Sequence, residues 1–269
     1  MKLLTPPDYS HKTELGLKSG IGQAILYLAP SNEAGPGVNL CPGHSPECFK
    51  HCLIHSGQMI MPHAHAARVR KTKLLLEQPE EFGKLLHWDV DAHLRWCHRR
   101  GLFPAFRFNG TSDYHWETWT VPHLGSTIHE YLYRVAPEAV INEYTKRYSV
   151  MRHWLEGAYK PNLYMTFSLH ELNEQQALKI LELGGNVTVV FSTRKGQRLP
   201  SQWFARPVLD GDVDDLRWMD NARARRQGLD PSRGLVVGLR AKGILTRVDS
   251  PFAIDPRPKT TRIPLPLAA

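Results

Sequence analysis

The sequence predicts an α/β fold: a parallel sheet curled into a partial, TIM-like (βα) barrel within a single domain. Three observations carry this expectation. Short apolar runs rich in β-branched and aromatic residues alternate with segments of helical length. Strand candidate after strand candidate ends in polar or glycine residues, as in parallel folds whose sites lie at the strand carboxyl ends. Fewer strand–helix units can be counted than a closed eight-stranded barrel requires. The chain has 269 residues, 42% of them hydrophobic and 22% charged, enough to build a core without staples.

Taken in chain order, the first strand candidate is QAILYLA at 23–29. It leads into NLCPGHSPECFKHCLIHSG at 39–57, a Pro/Gly-interrupted loop holding Cys41, Cys48 and Cys52. Two stretches of helical length and spacing follow, at 64–78 and 80–100. PAFRFNG at 104–110 reads as a strand running into the polar string Asn109, Gly110, Thr111, Ser112 and Asp113. Further strands are expected at 139–145, 163–168, 186–192 and 234–242, with helices near 125–135, 148–157 and 173–183. The last helix opens at Asn173 and stops at Gly184 and Gly185, a cap residue at each end. Residues 1–254 thus read as one α/β domain carrying the cysteine loop, and 255–269, DPRPKTTRIPLPLAA, as a Pro-rich extended tail.

The formal net charge is +8 and the sequence pI about 9.4. That balance favours an anionic partner, a nucleotide, a nucleic acid or a phosphorylated substrate, with a merely basic soluble surface as the alternative. The longest apolar run, about AILYLA, is far short of the ~20 residues a membrane span needs. The start, MKLLTPPDYSHK, meets paired prolines before an apolar core of a signal peptide can develop. A cytoplasmic protein without membrane contact is expected, and there clustered cysteines serve as metal ligands or catalytic groups more often than as disulfides.

Three cysteines spaced C-x6-C-x3-C converge most naturally on one soft metal centre. A [4Fe–4S] cluster suits this spacing, since its irons are spread out, and three cysteines leave one iron open. Zinc is the alternative: it would need a fourth ligand from Cys97, His44, His51, His55, His63 or His65, and its loops prefer shorter gaps. Packed, unligated thiols are the remaining reading.

Other residues fall where a shared rim would form. Lys146, Ser168 and Lys242 each end or follow a strand candidate, and the two lysines could hold a phosphate or carboxylate. Asp113 is either a site carboxylate or a helix N-cap. Arg68, Arg70, Lys71 and Lys73 form a basic run after the cysteine loop, an anion-facing patch or a solvated helix face. Asp210, Asp212, Asp214 and Asp215 in DGDVDD could ligate Mg²⁺ or Mn²⁺ for phosphoryl chemistry, or could form a turn paired with arginines. Tyr114, Trp116 and Trp119 could stack on a base or pack in the core.

Several blocks together resemble the phage gene-product-88 family: NLCPGHSPECFKHC, RVRKTK, FRFNGTSDYHW, YTKR, YMTFS, VLDGDVDDLRWMD and VVGLRAKG, in order over about residues 20–255. That resemblance implies a mobile genetic element and the host cytosol more than an activity. In layout the chain also resembles radical S-adenosylmethionine enzymes. There, cluster cysteines follow the first barrel strand, and a polar, glycine-containing motif after the second holds the amino group of S-adenosylmethionine. Cys41, Cys48 and Cys52 follow the first candidate strand here, and Asn109-Gly110-Thr111 closes the next. The usual C-x3-C-x2-C spacing of those enzymes is replaced by C-x6-C-x3-C.

The combined expectation is an iron–sulfur enzyme of radical S-adenosylmethionine type acting on an anionic substrate, supplied by an electron donor. Cys41, Cys48 and Cys52 would hold the cluster. Asn109, Gly110, Thr111, Ser112, Ser168 and Lys242 would bind cofactor, and Lys146 and Asp113 would act in catalysis. The alternatives are a zinc-stabilised nucleic-acid-binding module without catalysis and a metal-dependent phosphoesterase built on Asp210–Asp215.

Overall fold

A computed structural model describes residues 1–9 and 11–257. Strand β1 (Leu4–Thr5) and helix α1 (His11–Lys18) precede β2 (Ile21–Leu26). The cysteine loop contains the short α2 (Pro46–Lys50) and is followed by α3 (Pro62–Glu77), α4 (Pro79–His98) and β3 (Phe103–Arg107). A small hairpin, β4 (Thr120–Val121) and β5 (Ser126–Thr127), leads into α5 (Ile128–Val135). Then come β6 (Val140–Thr145), α6 (Tyr148–Leu155), β7 (Leu163–Ser168), α7 (Glu174–Glu182) and β8 (Val187–Phe191). The last elements are β9 (Gln202–Trp203), β10 (Arg206–Asp210), α8 (Asp220–Arg226) and β11 (Val236–Arg240).

These strands make a nine-stranded sheet in the order β1-β2-β3-β6-β7-β8-β11-β10-β9. From β2 to β10 in that order the neighbours are parallel, and β1 and β9 add short antiparallel edges. All six strands expected from sequence are present. Barrel closure is not: β1 and β9 end the sheet without pairing to each other among the described residues, so it is an open, mostly parallel sheet.

The winding explains the two faces. Strands β2, β3, β6, β7 and β8 lie side by side in sequence order. Right-handed crossovers then put every connecting helix on one face. Accordingly Ala24, Phe106, Ile141, Met165 and Val189 of the sheet share one core with Phe82 and Leu86 of α4, Leu132 of α5, Met151 of α6 and Ile180 of α7. Trp116 is fully buried in that core, with Tyr114 and Trp119 packed against it. The aromatic cluster is therefore core packing.

The alternate residues of the same strands face the other way. Ile21 and Ala105 on that face meet Leu216, and the 211–220 segment lies across it. Asp215 accepts from Arg107 Nη1 at 2.8 Å and from the Tyr144 hydroxyl at 2.9 Å, while its carbonyl accepts from Asn142 at 2.9 Å. Helix ends show local logic too. Thr127 and Glu130 form a reciprocal capping box on α5. Asn173 does sit at the start of α7, but its side chain turns back, accepting from His170 N–H and donating to the Ser168 carbonyl. No helix among the described residues is long and apolar enough to cross a membrane.

Candidate functional site

The cysteine loop leaves the carboxyl end of β2 and folds over the ends of β3, β6 and β7. Gly43 rests directly on the end of β6. A Cβ there would lie 2.9 Å from Lys146 Cβ and 3.1 Å from the Lys146 carbonyl carbon, so only glycine lets the loop rest on the end of β6. Ser45 caps α2 by accepting from Cys48 N–H at 3.1 Å, and its hydroxyl donates to Glu171 at 2.7 Å, tying the loop to the segment after β7. His170, in that segment, accepts from Leu172 N–H on Nδ1, which leaves its Nε2 proton for the Gly43 backbone.

Inside this frame Lys146 lies near enough to Cys41, Cys48 and Cys52 for each to act on its charge. Lys146 Nζ donates to Ser168 Oγ at 3.2 Å. Burial alone would depress its pKa, yet Cys48, Cys41, Asp113 and Cys52 around it hold it above the ordinary value. Cys41 and Cys48 are buried and Cys52 half-buried. Burial pushes the Cys41 thiol up to about 12, opposed by Lys146, and pushes Cys52 up as well.

Asp113 is the hinge between the polar string after β3 and the end of β6. Its Oδ2 accepts from Lys146 N–H at 2.8 Å and Thr145 Oγ1 at 3.3 Å, and its Oδ1 accepts from Arg147 Nε at 3.2 Å. Its own N–H donates to the Leu40 carbonyl, next to Cys41. Arg147 continues the chain of charge to Glu117 at 2.7 Å. No helix begins at Asp113, so it is not a helix N-cap.

The rest of the polar string builds the loop itself. Asn109 Oδ1 accepts from Ser112 Oγ at 2.8 Å and Tyr114 N–H at 2.9 Å. Thr111 Oγ1 donates to the Leu28 carbonyl at 2.6 Å. A Cβ on Gly110 would lie 2.6 Å from the Tyr27 ring and 2.7 Å from the Leu26 carbonyl oxygen. Beneath them Glu143, deep in β6, accepts from Phe108 N–H at 2.6 Å and Asn109 N–H at 3.0 Å. Sequence reasoning missed Glu143, Arg147, Glu117 and Glu171. Their partners lie 30 or more residues away, and only Arg147, beside Lys146 at a strand end, carried a local signal.

Several candidates stand elsewhere. Lys242 pairs with Asp212 at 3.0 Å, while the neighbouring Gly243 lies against Ser56 of the cysteine loop. Cys97 is fully buried against Gly22 and His93, at the start of β2, the opposite end of that strand from the loop. His44 Nδ1 is 2.6 Å from the Cys41 carbonyl, and His51 faces Glu47 and stacks on Phe252. The basic run divides: Arg68 is buried on Glu33, Lys71 is buried on the Leu3 carbonyl, and Arg70 and Lys73 face solvent.

The acidic cluster is spent on arginines. Asp210 takes both arms of Arg240, Asp212 takes Arg240 and Lys242, Asp214 takes Arg217 and Arg223, and Asp215 takes Arg107. Among the described residues no three His, Cys, Asp or Glu side chains stand placed to hold one metal ion.

Residues 5–256 match the family model for gene product 88. No curated protein and no solved structure matches the chain. The match spans nearly the whole sheet, the cysteine loop and the rim, and the chain belongs to the gene product 88 family.

Proposed function

We propose that this chain is an iron–sulfur protein in which Cys41, Cys48 and Cys52 hold a [4Fe–4S] cluster beside Lys146, and that it acts on an anionic substrate in the manner of radical S-adenosylmethionine enzymes. The observation that carries the reading is the proximity of three thiols to one lysine at the strand carboxyl ends. Sequential winding of β2, β3, β6, β7 and β8 is the winding of a partial (βα) barrel, and it supports the same layout.

Charge balance tests the fit. With the thiols protonated, Lys146 and Arg147 offset Asp113 and Glu117, while Glu171 is held by the Ser45 hydroxyl and the Glu47 N–H. Three bare thiolates would leave a large uncompensated negative charge in a poorly solvated place, which is strongly unfavourable. Cys41 accordingly keeps its proton to about 12. A cationic metal centre removes that conflict, and cysteine sulfur is the donor that iron–sulfur clusters take. A mononuclear zinc site wants four donors converging on a point; His44 is committed to the Cys41 carbonyl, and Cys97 packs at the far end of β2.

When bound, such a cluster supplies an electron and one iron open to a further ligand. The chain's own residues do the rest. Lys146 sets a positive charge against the thiolates and keeps N–H donors for a substrate carboxylate or phosphate. Asp113 fixes the Lys146 and Arg147 backbone and side chain, and Ser168 orients the ammonium. Glu143, Asn109 and Gly110 hold the adjoining loop close against β2. A small electron-carrier protein would be the natural donor.

The test is protein purified without oxygen, assayed for iron, sulfide and zinc and examined by visible absorption. About four irons per chain with a broad visible band is expected, and alanine at all three cysteines should abolish both. Addition of S-adenosylmethionine should then alter the paramagnetic resonance of the reduced centre. A colourless protein with about one zinc would replace this reading with a structural metal site.

A further inference from the structure

The surplus positive charge of this chain is not spread evenly. In the 194–226 region the aspartates are consumed internally by Arg107, Arg217, Arg223, Arg240 and Lys242. Arg194, Lys195, Arg198, Arg206, Arg225 and Arg226 are left, and none of the six forms an ion pair within 4 Å among the described residues. All but Arg206 are exposed. Arg198 lines a cavity beside β10, Arg206 opens β10, and Arg225 and Arg226 end α8 next to Gln227 of the same cavity wall, whereas Arg194 and Lys195 lie beyond the carboxyl end of β8.

The tip of the sheet edge where β9 and β10 pair is unusual. β9 and β10 form a hairpin in which Trp203 pairs with Arg206, so Phe204 and Ala205 are the two turn residues. Their φ angles are +47° and +56°. Positive φ at both positions is the signature of a turn that prefers Asn-Gly, and a bulky aromatic there is strained. Backbone strain of this kind points to a role outside the fold. The Phe204 ring is 45% exposed and is held edge-on against Trp203, ring centroids 4.7 Å apart.

The cavity beside β10 has a volume of about 380 Å³, with Leu199, Val208 and Leu209 in its wall and Arg198, Arg223 and Arg240 around it. Asp210 also lines it and, with Asp214, holds Arg240 and Arg223, so Arg198 is the one lining cation without an ion pair among the described residues, and the apolar wall suits the flat face of a base.

We propose that the β9–β10 hairpin and the adjoining face of α8 form a docking surface for single-stranded nucleic acid. Arg198, Arg206, Arg225 and Arg226 track the phosphates, Phe204 stacks on one base, and the cavity receives another. Stacking on an exposed ring selects single strands, because a duplex keeps its base faces covered. The surface is separate from the cysteine centre and stands without it.

Fluorescence anisotropy with a labelled oligothymidylate of about 20 nucleotides tests this, across a salt series and beside a duplex of equal length. Tight single-strand binding at low salt is expected, with log K falling linearly against log salt. Removing two cations with Arg225→Ala and Arg226→Ala should flatten that slope by about 1.4, at ~0.7 per phosphate contact. Phe204→Ala should weaken binding about five- to hundred-fold with the slope retained, and Phe204→Trp should keep it. A control pair just before β3, five strands from β10 across the sheet, Arg99→Ala with Arg100→Ala, should change the slope far less. The variant lacking all three loop cysteines should bind as wild type does, separating this surface from the metal centre. Equal binding of duplex with no effect of Phe204→Ala, or an unchanged slope in the double variant, overturns the proposal.

Discussion

Glu143 offers the sharpest test of how the rim is held. The side chain is 1% exposed, and its two oxygens accept from the backbone N–H groups of Phe108 and Asn109. Burial pushes its pKa from the ordinary 4.5 up to about 8, against the opposing pull of the Phe108 hydrogen bond and of Arg107. An acid whose folded pKa lies above its unfolded one keeps its proton in the folded chain after the unfolded chain has released it. Its contribution is therefore fully present below about pH 4.5 and is lost as pH rises to about 8. That interval is about 3.5 pH units, and at ~1.4 kcal/mol per unit the loss approaches about 5 kcal/mol.

Glu143→Gln removes the titration while keeping the shape. The amide retains one acceptor and sets its NH₂ against the second N–H, a cost of ~1–3 kcal/mol at pH 5. The two proteins are compared by urea unfolding at pH 5, 6, 7 and 8. Wild type should lose about 1.4 kcal/mol per pH unit relative to the variant, so the variant begins less stable and ends more stable. Other buried acids, such as Asp220 with its pKa raised by burial to about 6, cancel in the comparison. Parallel pH profiles would falsify the argument, because they would mean that the carboxyl carries the same charge in both states.

Three further outcomes follow from single contacts. Gly43→Ala drives a methyl group against Lys146, and the overpacking should cost ~1–3 kcal/mol in urea while also lowering metal content. Asp215→Ala strips Arg107 of its carboxylate on a face where both side chains are largely buried. A loss of ~3–5 kcal/mol is expected, and a change below 1 kcal/mol would show that the 211–220 segment is not pinned by this pair. Cys97→Ala should leave iron and zinc content at the wild-type level, since Cys97 packs at the far end of β2, and a loss of metal would place it in the centre after all.

The sheet was legible because its central strands are nearly continuous apolar runs: AVINEYT, LYMTFS, NVTVVFS and GLVVGLRAK each end at a polar or glycine signal. β10 was not legible. Its sequence, RPVLD, carries a proline and a charge at each end, and only its pairing with Val236–Gly238 of β11 and Gln202–Trp203 of β9 makes it a strand. Helix α1, HKTELGLK, lacks an apolar stripe and contains Gly16. The three cysteines announced themselves by density, and Lys146 and Asp113 by their places after strands. What local pattern could not supply was pairing. DGDVDD reads equally as a cation site or a turn until Arg107 and Arg240 arrive from 108 and 30 residues away.

The two faces of the sheet also explain why the site lies where it does. The helix-covered face is mostly apolar, and its buried Glu143 is matched by the backbone of Phe108 and Asn109. The opposite face carries Asn142, Tyr144 and Lys146 at alternate positions leading out of β6, a column of polar groups whose burial is unfavourable unless each is matched. The lower members find partners in Asp215, brought by the 211–220 segment. That segment closes the face below, and Lys146, at the top, is left with Ser168 and the cysteine loop. Its ammonium has three donors, and the hydrogen bond to Ser168 uses one of them. Lys146→Met therefore separates packing from chemistry: it keeps the apolar stem and should leave the sheet folded. Metal retention and any anion affinity should fall together, whereas unchanged metal content and unchanged anion binding would reduce Lys146 to a buried prop.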